Sequence, residues 1–138
     1  MTVDQPGSIA AIARLCAAEA ALDHHWARVL GRAARVSGPG ERQRVLLASS
    51  HRHARLATEW EARLPITDDT ESMLASVDPH PLEADLETYR QSLSERASRL
   101  EGLLESLDGL CDPSTVRLLA EAARLTAELS DEAGRIGV

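Results

Sequence analysis

Two polar residues stand on helical stripes that are otherwise apolar, and they are of the types that bind metals or move protons. Glu19 falls at 100° per residue between Leu15, Leu22 and Trp26, and His53 is equally central among Leu46, Ser49, Leu56 and Trp60. A lone buried carboxylate costs several kcal/mol unless it is protonated, paired or hydrogen-bonded, so something must satisfy Glu19. One reading is a metal ion, iron or manganese, or a small ligand held by Glu19 and His53, with Asp23 or Tyr89 assisting. The other is an internal polar network of Glu19, His53, Tyr89 and Arg96 that fixes helix register and needs no cofactor. Arg96 decides between them, because a guanidinium at that level fills a cation's place.

A two-metal carboxylate bundle needs Glu from two helices and Glu-x-x-His from each of the other two, since three residues set carboxylate and imidazole one turn apart on one face. The chain holds no Glu-x-x-His or Asp-x-x-His; Ser50-His-Arg-His53 puts Ser where Glu would stand. The fourth helical stripe is Leu, Ala and Thr, with Glu121, Glu128 and Glu132 on its flanks. A complete di-metal site is therefore excluded from the expected reading. His24 and His25, and likewise His51 and His53, are spaced too closely to chelate from one helical face. His24 and His51 are expected exposed, His25 at the rim, and His80 solvated beside prolines. Ser49, Ser50 and Cys111 lack a nucleophile elbow or oxyanion loop, and Gly38-Pro39-Gly40 is a turn, not a phosphate cradle. No catalytic residue is assigned.

The elements that must position these groups are helices. The 138 residues make one domain, with periodicity predicting helices over about 8–36, 41–64, 81–108 and 113–133 and no sustained strand alternation. Gly38-Pro39-Gly40 is too short a link for anything but an antiparallel hairpin. Pro65 ends the second helix, Gly109 the third, and Asp112-Pro113 marks the start of the fourth. The connection over 65–81 is long enough to run back along the bundle or to form an ornate loop; length alone leaves both open. With no Phe and only Trp26, Trp60 and Tyr89 aromatic, the core is expected to be Leu, Ala, Val and Ile, closely packed.

Fifteen basic residues, all Arg, face 22 acidic ones for a net charge of −7, and Arg is read as alternating with Asp and Glu along solvated faces. That balance argues against nucleic acid, which demands clustered positive charge. The first residues lack signal-peptide character, no run approaches a membrane span, and Cys16 and Cys111 match no paired motif. The expectation is a cytoplasmic protein with free thiols. Opposite the core stripe the first helix shows Ala10, Ala13, Ala17, Ala20 and Ala21, a face expected to make a homodimer; the alternative is that Ala is simply a good helix former.

The run from His53 through Ala-Arg-Leu-Ala-Thr-Glu-Trp60 to Pro65, followed by the long linker and Asp112-Pro113-Ser-Thr-Val, resembles small bacterial ferritin-like bundles of actinobacterial type. The resemblance covers most of the chain. It implies an all-α four-helix bundle with a long crossover between helices 2 and 3, and of the family's metal positions only Glu19 and His53 carry over. The departures at Ser50 and along the fourth helix separate this chain from oxidase, oxygenase and storage activities. The function expected is that of a binding or accessory protein with a degenerate metal site, its partner another protein or a small ligand. The alternative is a residual metal-binding protein or small oxidoreductase using Glu19 and His53.

Overall fold

A computed structural model describes residues 9–64, 86–107 and 113–138. Within them the chain forms four helices, α1 (Ile9–Ser37), α2 (Glu41–Ala62), α3 (Leu86–Leu107) and α4 (Pro113–Arg135), and no strands. The expected linker, with His80, and the start of the third helix at Pro81 lie outside the described residues, as do Gly109, Cys111 and the Asp112 cap.

Gly38, at φ 74°, turns the chain out of α1 in the left-handed region open to glycine. The end of α1 is closed by side chains: Ser37 Oγ and Gln43 Nε2 both donate to the Ala34 carbonyl, at 3.1 and 3.0 Å. Farther along, Ser50 Oγ donates to Ala27 O at 2.7 Å, which locks the register of the α1–α2 hairpin. At the other end α2 stops two residues before the expected Leu64. There Arg63 N–H and Leu64 N–H bond three residues back to Trp60 and Glu61, the tightened last turn of a helix.

α1 packs on α2 and on α3, and α4 on α2 and α3. Contacts between Arg42 and Ile136, Arg52 and Glu132, and Arg63 and Thr115 run α2 against α4 in opposite directions. Trp26 beside Tyr89 and Glu19 beside Arg96 and Arg99 do the same for α1 and α3. Hence α2 and α3 are parallel, and the chain between them joins opposite ends of the bundle. This is a four-helix bundle with one crossover, not an up-down-up-down one.

The core is Leu and Ala with the two Trp and Tyr89, as the composition implies: Trp26, Leu30, Leu56, Trp60, Leu93, Leu100, Leu119 and Leu129 are all sealed from solvent. Each such Leu contributes about 1.5–3 kcal/mol through burial. The expected stripe on α1, through Ile12, Leu15, Glu19, Leu22, Trp26 and Val29, is fully buried only at Glu19 and Trp26 and is rotated from the centre of the helix's inward face. Cys16, Ala20, Asp23 and Leu30 are its buried centre, while Ile12, Leu15, Leu22 and Val29 are only partly covered. The cause is the alanines. Ala13, Ala17 and Ala20, expected on a dimer face, lie inside the chain's own core at 2% exposure or less. Small side chains here let the helices approach closely, so the proposed dimer face is an intramolecular one. Of the five, Ala10 is exposed and Ala21 intermediate.

Candidate functional site

Midway along the bundle, three helices bring their polar residues to one sealed cluster. α1 supplies Glu19 and Asp23 one turn apart, α2 supplies His53 and Trp60, and α3 supplies Tyr89 and Arg96 two turns apart. The i,i+4 and i,i+7 spacings put each pair on one helical face. All are at most 3% exposed apart from Arg99, which reaches in from the surface.

Asp23 is the hub. Its Oδ1 accepts from Arg96 Nη1 at 2.6 Å and from His53 Nδ1 at 2.7 Å; its Oδ2 accepts from Arg96 Nη2 at 2.7 Å and Trp60 Nε1 at 3.0 Å. The third guanidinium nitrogen, Arg96 Nε, donates to Glu19 Oε2 at 2.8 Å. Arg99 closes the other side of Glu19, donating through Nη2 and Nε to Oε1 at 2.7 and 3.2 Å. Beyond His53, Tyr89 donates its hydroxyl to Nε2 at 2.8 Å. That direction follows from the carboxylate: Asp23 can only accept, so Nδ1 carries the imidazole proton and Nε2 is the acceptor.

Charge inside the cluster balances, two carboxylates against two guanidiniums. Burial alone would raise the Asp23 carboxyl, but the hydrogen bonds and charge of Arg96, then those of His53, hold it below the usual carboxylate range. Burial pushes His53 down, and Arg96 adds to this against the pull of Asp23, so the ring is neutral at pH 7. Tyr89 is raised by burial and by the Asp23 charge, which keeps its hydroxyl protonated. Burial would lower Arg96, yet Asp23 and Glu19 together raise it, and the guanidinium is permanently charged.

Glu19, His53, Tyr89 and Arg96 thus come together, but Glu19 and His53 do not meet as a pair of ligands. Each is held by other partners, and Arg96 with Asp23 stands between them. Among the described residues no three His, Cys, Asp or Glu side chains converge as a cation site. Asp23, Trp60 and Arg99 are the members that sequence reasoning left out of the network. A signal for Asp23 existed: folding the hairpin about residues 38–39 sets His53 level with His24, and Asp23 is the adjacent residue on the inward side.

The other histidines divide. His24 is exposed and paired with Glu61, and His51 is exposed. His25 is 1% exposed, edge-on to Trp26, not at the rim. Cys16 is fully buried. Asp23, His53 and Tyr89 have the order of an acid–imidazole–hydroxyl relay, but the hydroxyl is sealed and held in its protonated form, so it presents no nucleophile to a substrate. No described helix is long and apolar enough to cross a membrane. No protein-family model matches the chain, and no curated protein or solved structure matches it either.

Proposed function

We propose that this chain is a ferritin-like bundle without a di-metal centre that acts as a binding or accessory protein. The observation that carries this reading is Arg96, whose guanidinium occupies the space between Glu19 and Asp23 and takes up their charge. A cation placed there would meet a permanent positive charge and would have to displace three hydrogen bonds. The single-crossover arrangement of the helices supports the family reading, and the saturated polar core supports a structural role for the residues expected to be ligands. On this reading the cluster sets the relative register of α1, α2 and α3, and function lies on the outer surface.

Elemental analysis before and after anaerobic incubation with Fe(II) and Mn(II), on wild type and Glu19→Gln/His53→Gln, tests it. The expected result is no metal above the background of the variant. Stoichiometric metal lost in the variant would overturn the proposal in favour of a small metal-binding protein or oxidoreductase using Glu19 and His53.

A further inference from the structure

The expected alternation of Arg with acidic residues fails over one stretch. Residues 24–58 hold seven of the 15 arginines and only one of the 22 acidic residues, Glu41. The α1–α2 hairpin is therefore strongly basic in a chain that is otherwise strongly acidic. Part of that charge is spent inside the fold: Arg52 and Arg55 pair with Glu132 and Glu121 of α4, and Glu41 with Arg135. Arg28, Arg32, Arg35 and Arg44 are exposed and have no acidic partner among the described residues.

On α1, Arg28, Arg32 and Arg35 fall within a sector of about 60°, directly opposite the buried Asp23 and Leu30. The hairpin register places an apolar residue among them. Gln43 bonds to Ala34 and Ser50 to Ala27, so Leu47, between them on α2, is level with Leu30, at a height between those of Arg28 and Arg32. Leu47, 43% exposed, and Val36, 83% exposed, are the exposed large hydrophobic residues of the described chain. Both stand at this end of the hairpin. Exposed arginines with no acidic partner among the described residues, on the same hairpin as an exposed Leu, suit an interface, where Arg is enriched.

We propose that the outer face of the α1–α2 hairpin, Arg28, Arg32, Arg35, Arg44 and Leu47, docks an acidic amphipathic helix of a partner protein. The proposal rests on the reading of this chain as a binding protein and names the chemistry of its partner. Phosphates of a nucleic acid would satisfy the arginines and leave Leu47 and Val36 in water. A helix carrying carboxylates beside an apolar stripe meets both demands.

The test is fluorescence anisotropy of the full-length protein with a labelled 18-residue probe peptide of Glu, Ala and Leu, with Leu at i, i+3, i+4 and i+7. A sequence-matched peptide with Lys for Glu and an 18-base-pair DNA duplex serve as comparisons. The expected result is binding of the acidic peptide alone, weakening with salt and reduced about tenfold or more by Arg28→Glu/Arg32→Glu and by Leu47→Asp. Arg117→Glu, on the exposed side of α4, should bind as wild type does. Absence of peptide binding, equal binding by the hairpin variants, or tighter binding of the duplex that ignores Leu47 would each overturn the proposal. So would a homodimer in sedimentation that Arg28→Glu/Arg32→Glu dissociates, since the face would then belong to a second copy. Metal uptake decides the underlying reading separately, so the two can fail independently.

Discussion

Asp23 of α1 and Arg96 of α3 form a two-pronged ion pair, 2.6 and 2.7 Å, at 1% exposure or less on both sides. With the bonds from Arg96 and Arg99 to Glu19, it ties α3 to the centre of α1 and so joins the two helix pairs of the bundle. Such a pair contributes little over a well-packed apolar substitute, but removing one partner strands the other. Arg96→Met leaves Asp23 buried without its guanidinium and Glu19 with Arg99 alone, and should cost about 3–5 kcal/mol. The combined Asp23→Leu/Arg96→Met variant should recover part of that loss, read as a coupling energy in urea denaturation. If the two single losses simply add, the pair is not the linkage described.

Tyr89→Phe isolates the outer end of the chain of hydrogen bonds. The ring remains to pack on Trp26, whose centroid is 4.9 Å away, while His53 Nε2 loses its donor in a sealed site. An unsatisfied buried acceptor costs about 1–3 kcal/mol. The free energy of unfolding should fall by that amount, seen as a lower urea midpoint with an unchanged slope. A neutral result would mean that another donor reaches Nε2.

Acid should weaken the fold in two stages. His53 has a folded pKa below its ordinary value of 6.5, so below pH 6.5 the unfolded chain binds a proton that the folded chain refuses. Stability therefore falls as pH drops from about 6.5 toward the lower folded value. Asp23, depressed below 3.8, adds a second loss beginning near that pH and continuing as the folded carboxyl protonates. Stability measured from pH 7.5 to 5 should decline in wild type, and His53→Gln should flatten that decline while leaving the loss below pH 4. An equal slope in the variant would assign the upper stage to other groups.

Helix positions were legible because Gly, Pro and the Leu period mark them plainly: α2 starts at Glu41 and α4 at Pro113 as the sequence predicts. The rotation of α1 was not. The expected stripe runs through Ile12, Leu15, Glu19, Leu22, Trp26 and Val29; Glu19 and Trp26 are buried, whereas the four aliphatic residues, which signal hydrophobicity strongly, sit at the margin. The true centre contains Asp23 and alanines, residues whose burial is set by the partner helix and not by their own apolarity. The same blindness applied to the cluster. Glu19, His53, Tyr89 and Arg96 interrupt apolar stripes and announce themselves, whereas Asp23 lay outside the stripe as drawn. Trp60 was read as core, and nothing in its type reveals that its indole N–H has a carboxylate to meet. Arg99 is half-exposed, and only the three-dimensional crossing of α1 and α3 brings it to Glu19.

The alanine face gives the sharpest contrast between an inter-chain and an intra-chain role. Ala17 is 1% exposed within a single chain, while Ala10, two turns nearer the start of α1 on the same face, is open to solvent. Were these residues a dimer contact, Glu at either position would separate protomers and leave each fold intact. In this bundle Ala17→Glu drives a carboxylate into the apolar core and adds bulk where helices are in close contact. Desolvation and overpacking together should cost several kcal/mol and lower the thermal midpoint markedly. Ala10→Glu should unfold within a few degrees of wild type. Circular dichroism melts of the two variants, at two protein concentrations to expose any mass-action effect, decide the matter. Equal and concentration-dependent losses would return the alanines to an interface between chains.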